Sequence, residues 1–260
     1  MFKRLLSTVG AYKLYEKWLW RQVKVGAKPE HIAIILDGNR RWAAGKALNA
    51  SSGHEKGAER VEQLIDWCLR LKVKSITLYA FSTENFSRSR EEVAEIMRIA
   101  GDNLRKILME ERVHRDRIRV KVIGRVNLLP EDLQQIIHNV EKTTQDYNDH
   151  FLNFAFAYGG RAEIVDAAKK IAEEVDAGKL SPKSVDEATF EQYLYTAHLP
   201  KQDADLIIRT SGEERLSGFL LWQSAYSELC FLDVYWPDFR LIDLLRAVRT
   251  FQNRKRRFGA

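Results

Sequence analysis

The sequence predicts a single α/β domain built around a mainly parallel sheet of about six strands, flanked by helices. Short apolar segments alternate with longer segments of helical periodicity from about residue 31 onward, which is typical of repeated β-α units. The chain has 260 residues, 45% of them hydrophobic, and is long enough to bury one large core. No internal repeat, linker or low-complexity segment divides it, so we expect one domain.

The first buried strand is predicted at residues 31–37, where five apolar residues run from Ile32 to Leu36. Gly38 and Asn39 then turn the chain after Asp37. Further strands are predicted at residues 73–80, 118–123, 151–158, 205–209 and 228–232, and helices at 54–71, 90–114, 130–147, 161–176, 186–195 and 240–255.

A basic amphipathic helix is predicted within residues 1–28, ahead of the main domain at 29–260. Apolar residues recur at helical spacing with lysines and arginines between them, and Gly26 and Pro29 end the pattern. Such a helix either packs against its own domain or lies on a membrane surface, and the sequence leaves both open.

Composition excludes several classes of protein. No apolar run approaches the roughly 20 residues needed to cross a bilayer, and no signal peptide is evident. Cys68 and Cys230 are predicted to be free thiols, which favours a reducing, cytoplasmic location. The net charge of +6 suits anionic partners, but no nucleic-acid motif accompanies the basic run at 254–257, so no nucleic-acid partner is predicted.

Arginines with glycine, serine or asparagine follow four predicted strands, at residues 37–41, 81–88, 158–161 and 209–217. Ligands of parallel sheets bind at the carboxyl ends of the strands, so we expect these segments to form one phosphate-binding cleft. A carboxylate there, Asp37, suits Mg²⁺ bound to a polyphosphate. Neither a Walker sequence nor a dinucleotide fingerprint is present.

In order along the chain, residues 31–42, 81–88, 158–161 and 209–228 resemble the cis-prenyltransferase family, the undecaprenyl and dehydrodolichyl diphosphate synthases. The resemblance covers about residues 30–259. It implies a transferase that condenses isopentenyl diphosphate onto an allylic diphosphate with Mg²⁺, and an apolar tunnel between the sheet and the long helices. It also implies a homodimer in peripheral contact with a membrane and an undecaprenyl-type product.

The resemblance implies a role for each matching residue. Asp37 and Glu228 are the expected Mg²⁺ ligands, and Asp37, Ser82 and Asn85 the expected catalytic residues. Trp42 is included among the substrate-binding residues, with simple packing as its alternative. The implied substrate-binding residues are Gly38, Asn39, Arg40, Arg41, Trp42, His54, Phe86, Arg88, Arg209, Arg215, Ser217, Arg257 and Gly259, the last two reaching across the dimer interface.

Several positions depart from the family pattern. Ala50 stands where an arginine often grips the allylic diphosphate, and Arg40 replaces a glycine of many bacterial members. Small and polar residues at 100–103 stand where long-chain enzymes are bulkier and more apolar. Product length is therefore open. Short-chain or non-head-to-tail condensation remains an alternative, as does a non-catalytic partner subunit.

Overall fold

The computed structural model describes residues 11–254. Its strands β1 to β6 span His31–Ile35, Ser75–Ser82, Ile118–Ile123, His150–Tyr158, Leu206–Arg209 and Glu228–Phe231. Its helices α1 to α9 span Ala11–Val25, Asn39–Ala44, Ala50–Leu71, Arg90–Met109, Glu111–Arg115, Glu131–Thr144, Gly160–Asp176, Glu187–Glu191 and Leu241–Asn253.

The six strands form one parallel sheet in the order β3-β4-β2-β1-β5-β6. Every residue of β1 and of β5 is buried, as expected for central strands covered by helices on both faces. All six strands therefore end at the same edge of the sheet. The predicted fold class and the predicted parallel sheet are confirmed.

Several element boundaries differ from the sequence prediction, and three of the differences bear on the site. Strand β1 ends at Ile35, two residues before the predicted end. Helix α3 begins at Ala50 rather than residue 54, because the Asn49 side chain accepts a hydrogen bond from the Ser52 amide and caps the helix. The single helix predicted at 90–114 is two helices, since Glu110 has an extended backbone between them.

Helix α1 packs on the domain through one face. Leu19 and Val23 are fully buried in the main core. On its other flank, the Arg249 guanidinium lies 4.7 Å from the Trp18 ring, while Leu14 stays 69% exposed. The described part of the predicted N-terminal helix is therefore joined to the core, and residues 1–10 lie outside the described part.

Within residues 11–254, no helix is both long and apolar enough to cross a membrane.

Candidate active site

An open cleft of about 940 Å³ lies at the carboxyl edge of the sheet, where the sequence predicted phosphate binding. Loops after β1, β2 and β5 line it. Among the predicted site residues, those lining it are Asp37, Gly38, Asn39, Arg40, Arg41, His54, Ser82, Asn85, Arg88, Arg209, Arg215 and Ser217. The structure thus brings together residues that are up to 180 positions apart in the sequence (Asp37 and Ser217).

The turn after β1 holds Asp37 at the centre of this cleft. Gly38 has a φ of +104°, and a Cβ atom there would lie 2.6 Å from the Tyr235 ring, so only glycine fits. The Asp37 amide donates to the Thr210 hydroxyl (3.0 Å), and that hydroxyl donates to the Asp37 carbonyl (2.7 Å). These bonds join the ends of β1 and β5 and fix the carboxylate.

Two guanidinium groups face the Asp37 carboxylate. Arg209 donates to Oδ2 (2.8 Å) and Arg41 donates to Oδ1 (3.1 Å). Burial alone would raise the pKa of Asp37, but the hydrogen bonds from Arg209 and Ser211 and the two positive charges lower it below its ordinary value of 3.8. The carboxylate is therefore ionised at neutral pH and can serve as an oxygen ligand.

The loop after β5 is folded around Arg209, which is only 5% exposed. Its Nη1 donates to the Arg215 carbonyl (2.5 Å) and to the Ser217 hydroxyl (2.8 Å), while its buried Nε has no hydrogen-bond partner. Ser211 and Ser217 adopt φ values of +79° and +48°, which side-chain-bearing residues rarely adopt. Strain of this kind is concentrated at ligand sites.

Sequence reasoning missed Glu213. Its carboxylate accepts from Arg41 (3.1 Å) and pairs with Arg215 (2.6 Å), so both cations are held by an acid beside the cleft. The only available signal was its position inside the loop that carries Arg209 and Arg215. Tyr79 was missed too: it lines the cleft, stacks on Phe219 at 4.7 Å, and burial raises its pKa to about 12.

A second group of positive charges lies across the cleft, around one carboxylate that the sequence did not mark. Glu92 Oε1 accepts from Arg88 (2.9 Å) and lies 3.3 Å from His54 Nε2 and 3.7 Å from Arg40 Nε. Burial lowers the pKa of His54 below 6.5, so the imidazole is neutral at pH 7. Arg40 and Arg88 therefore place two guanidinium groups at this side of the cleft, whereas Ala50 does not line it.

Ser82 and Asn85 are held together by a short 3₁₀ helix, residues Thr83–Ser87. The side-chain oxygen Oδ1 of Asn85 accepts a hydrogen bond from the Ser82 backbone amide (3.0 Å). The predicted pair is thus adjacent in space and lies on the cleft wall.

An apolar tunnel continues from the cleft between the sheet and helices α3 and α4. It encloses about 130 Å³ and shares Leu36, Asn39, His54, Ala80 and Ile96 with the cleft. Asn103 lines it with its amino group bonded to the Ile99 carbonyl, whereas Asp102 faces outward and pairs with Arg98 and Arg105. Of the two polar residues within positions 100–103, Asp102 and Asn103, only Asn103 faces the tunnel.

Within one chain the structure does not bring the two predicted metal ligands, Asp37 and Glu228, together. Glu228 begins β6 in register with Leu206 and Ile32, at the amino edge of the sheet. Asp37 lies five residues beyond Ile32, roughly 16 Å further along the strand direction. Glu228 instead accepts a hydrogen bond from Arg254 (2.6 Å).

Two predicted substrate-binding residues do not line the cleft. Trp42 lies on the buried side of α2 with the Lys46 ammonium 4.0 Å from its ring, in agreement with the packing alternative. Phe86 packs edge-on against Phe81 at a centroid distance of 4.9 Å. Both point into the core because the helical turns after Asn39 and Thr83 carry them away from the cleft. Arg257 and Gly259 lie outside the described residues.

Asp37 is the carboxylate at the centre of the cleft that could hold a metal ion. Residues 11–254 contain no group of three or more His, Cys, Asp or Glu side chains placed to hold a metal. Mg²⁺ is commonly held by one or two carboxylates together with substrate phosphates. The ionised Asp37 fits that requirement once a diphosphate supplies the remaining oxygens.

Comparison with known proteins identifies the family. The model described as putative undecaprenyl diphosphate synthase matches residues 35–259. This chain is a cis-prenyltransferase. The tritrans,polycis-undecaprenyl-diphosphate synthase (geranylgeranyl-diphosphate specific) of Methanopyrus kandleri is 52% identical over 254 residues, covering 98% of this chain and 93% of that one. Such similarity makes the protein a transferase that elongates prenyl chains.

Two solved cis-prenyltransferases share the fold. Lavandulyl diphosphate synthase from Lavandula x intermedia, in complex with dimethylallyl diphosphate, is 39% identical with a TM-score of 0.84, covering 90% of this chain and 99% of that one. A probable undecaprenyl diphosphate synthase from Campylobacter jejuni is 30% identical with a TM-score of 0.73, covering 90% and 100%.

Proposed function

We propose that this cis-prenyltransferase adds isopentenyl diphosphate to geranylgeranyl diphosphate and makes a long, undecaprenyl-type cis-polyprenyl diphosphate. The observation that carries this proposal is the continuity of the basic cleft with the apolar tunnel through shared residues. One part suits a diphosphate and the other suits its hydrocarbon chain. The geranylgeranyl-diphosphate specificity of the Methanopyrus kandleri relative supports the choice of primer and product.

The allylic diphosphate lies against the turn after β1 in this proposal. Asp37 would hold Mg²⁺ beside it, and Arg40, Arg41 and Arg88 bind its oxygens. Bound there, Mg²⁺ would supply positive charge that stabilises the departing diphosphate. The residues of the chain hold the leaving group in place, while the tunnel mouth near Leu36 and Ile96 keeps water from the carbocation that forms.

Isopentenyl diphosphate binds at the loop after β5, where Arg209, Arg215 and Ser217 line the same cleft. The task of this loop is positioning, since the double bond must meet the allylic carbon. Asn85 is too weak a base to remove the final proton. It orients a diphosphate oxygen that does so, and an Asn85→Ala enzyme with full turnover and unchanged substrate affinity would exclude this role.

The direct test is an assay with purified protein, Mg²⁺, labelled isopentenyl diphosphate and primers of increasing length. Products are then resolved by size and by branching. We expect the highest kcat/KM with geranylgeranyl diphosphate and a series of long, unbranched cis products. Equal or better use of dimethylallyl diphosphate with a single condensation would reject the proposed primer and product.

Short-chain condensation, including the non-head-to-tail kind, is the second candidate function. It is favoured by the similarity to lavandulyl diphosphate synthase and by a tunnel that encloses only about 130 Å³. The same assay separates the two candidates, because only the second predicts short or branched products. The assembled cleft and the family membership argue against a non-catalytic subunit.

We also propose peripheral contact with a lipid surface through α1. Its outward side carries Leu14, Trp18 and Val25, which are 69%, 44% and 89% exposed, beside lysines and arginines. Deleting the helix would uncover Leu19 and Val23, so point substitutions give a cleaner test. Leu14→Ser with Val25→Ser should weaken binding to anionic vesicles without changing the melting temperature; unchanged binding would reject the proposal.

A homodimer is proposed from the family pattern and from the exposed edge of the sheet. Strand β6 ends the sheet with its four residues half-buried, and unpaired strand edges of this kind favour pairing. Light scattering of the purified protein measures the oligomeric state, and a mass of one chain across the working concentration range would exclude the dimer.

A further inference from the structure

The end of the tunnel furthest from the cleft differs chemically from its walls. Most lining residues are aliphatic or aromatic, such as Ile65, Ile107 and Val113. Apart from His54 at the mouth, the ionisable residues lining it are Glu62, Glu110 and Arg112, and all three lie at this far end. Charged groups beside an apolar ligand are costly unless they are paired with other charged or polar groups.

Arg112 connects the two helical walls at this end. Its Nη1 donates to the Asp66 carboxylate (2.5 Å) and to the Glu62 carbonyl (3.1 Å), both on α3. Its Nε is paired with the Glu110 carboxylate, in the break between α4 and α5. We call Asp66, Glu110 and Arg112 the distal ion cluster.

The distal ion cluster lies between the tunnel and solvent. The side chains of Arg112 and Glu110 are 17% and 25% exposed, whereas Asp66 is 55% exposed and Met109 is 87% exposed. The cluster therefore separates the tunnel from solvent. A prenyl chain that reached the end of the tunnel would meet these charged groups. A prenyl chain cannot replace the hydrogen bonds of a guanidinium, so pushing it aside would leave charged groups unpaired beside apolar atoms.

We propose that the distal ion cluster closes the far end of the tunnel and sets the longest prenyl chain that the enzyme makes. Arg112 is a specificity-determining residue in this view, and Asp66 and Glu110 are its positioning partners. The inference rests on the proposed elongation activity. It assigns the limit on length to a charged floor rather than to the bulk of the tunnel walls.

Replacing the guanidinium gives the sharpest test. Arg112→Ala should shift the most abundant product upward by at least one isoprene unit, with the rate of the first condensation unchanged because the cleft is intact. Asp66→Asn should shift it in the same direction by less, since Glu110 still holds Arg112. The matched control is Arg115→Ala. Arg115 is an exposed arginine of the same short helix and pairs with Asp116, so its loss should leave the product unchanged.

A folded Arg112→Ala enzyme with the wild-type product distribution would overturn the proposal. If that variant does not fold, an unchanged product distribution in Asp66→Asn overturns the proposal equally. We expect Asp66→Asn to fold, because the Asp66 side chain is 55% exposed. A second measurement separates this inference from the proposed function. Alkyl diphosphates of increasing length, used as competitive inhibitors, should stop gaining affinity at a certain length in the wild type and continue to gain in Arg112→Ala, even if no elongation occurs.

Discussion

The cleft and the tunnel meet at one mouth but are built on different principles. The cleft is formed by loops at strand ends and is held by ion pairs, such as Asp37 with Arg209 and Arg41. The tunnel is formed by the flanks of α3, α4 and the sheet, and apolar side chains line it. The difference indicates that, in the proposed function, diphosphate binding and accommodation of the prenyl chain depend on separate residues apart from the five that both regions share at the mouth. Substitutions away from the mouth should therefore affect one without the other.

The largest effect is expected from removing the cleft carboxylate. Asp37→Asn should lower kcat/KM by about a thousandfold, because the proposed Mg²⁺ site would lose its protein ligand and Arg209 loses its charged partner. Since the pKa of Asp37 lies below 3.8, the ratio between wild type and variant should stay constant from pH 5 to pH 8 in steady-state assays.

Asp238→Asn, at a carboxylate that is 56% exposed, is the control for the loss of charge. If Asp37→Asn kept more than a tenth of wild-type activity, the assigned metal ligand would be wrong. A shift in product length for Asp37→Asn would show that cleft and tunnel are not independent.

A smaller effect is expected at the loop after β5. Arg209→Lys should raise the KM for isopentenyl diphosphate by about tenfold or more, because an ammonium cannot replace the forked contacts to the Arg215 carbonyl, Ser217 and Asp37. Arg215→Lys should change it less, since that side chain is 62% exposed. Equal effects in initial-rate assays would contradict the central place given to Arg209.

His54 lies at the mouth, so its replacement tests the boundary between the two regions. His54→Gln should reduce kcat/KM by about tenfold through loss of one hydrogen-bonding group near the leaving diphosphate. Burial lowers the pKa of His54, and the neutral ring should keep the ratio to wild type flat between pH 7 and pH 9. A ratio that changes in this range would indicate a charged histidine in the complex.

The smallest effect on rate, with a clear effect on product, is expected in the tunnel wall. Ala100→Phe should shorten the longest product while the first condensation stays within about twofold of wild type, because the cleft is unaltered. Asp102→Asn on the outer side of the same helix is the control. A large loss of the first condensation would mean that wall and cleft are coupled.

The sequence predicted the parallel sheet and most of the cleft because both leave local patterns. Buried strands read as apolar runs, and strand ends carry arginine with small polar residues, as at Asp37 and Arg209. Glu92 and Glu213 were missed because acids within charged loops and helices look like ordinary surface residues.

Other features depend on geometry that no local pattern reveals. Glu228 was predicted as a metal ligand from the resemblance, and its register at the amino end of β6, away from Asp37 in the same chain, depends on strand pairing. Whether Asp102 or Asn103 faces the tunnel depends on helix rotation, which packing against α6 and the sheet decides. The contact of Arg112 with Asp66 spans 46 residues and has no sequence signal.

Because α4 ends just before Glu110, its length sets the distance between the cleft and the distal ion cluster. Its 20 residues span about 30 Å, with Glu92 at the cleft and the break at the other end. Inserting or deleting one helical turn between them would move the floor by about 5.4 Å relative to the diphosphate. A change in the length of one helix, by evolution or by engineering, would therefore change the length of the prenyl product. The loops that form the cleft would stay unchanged.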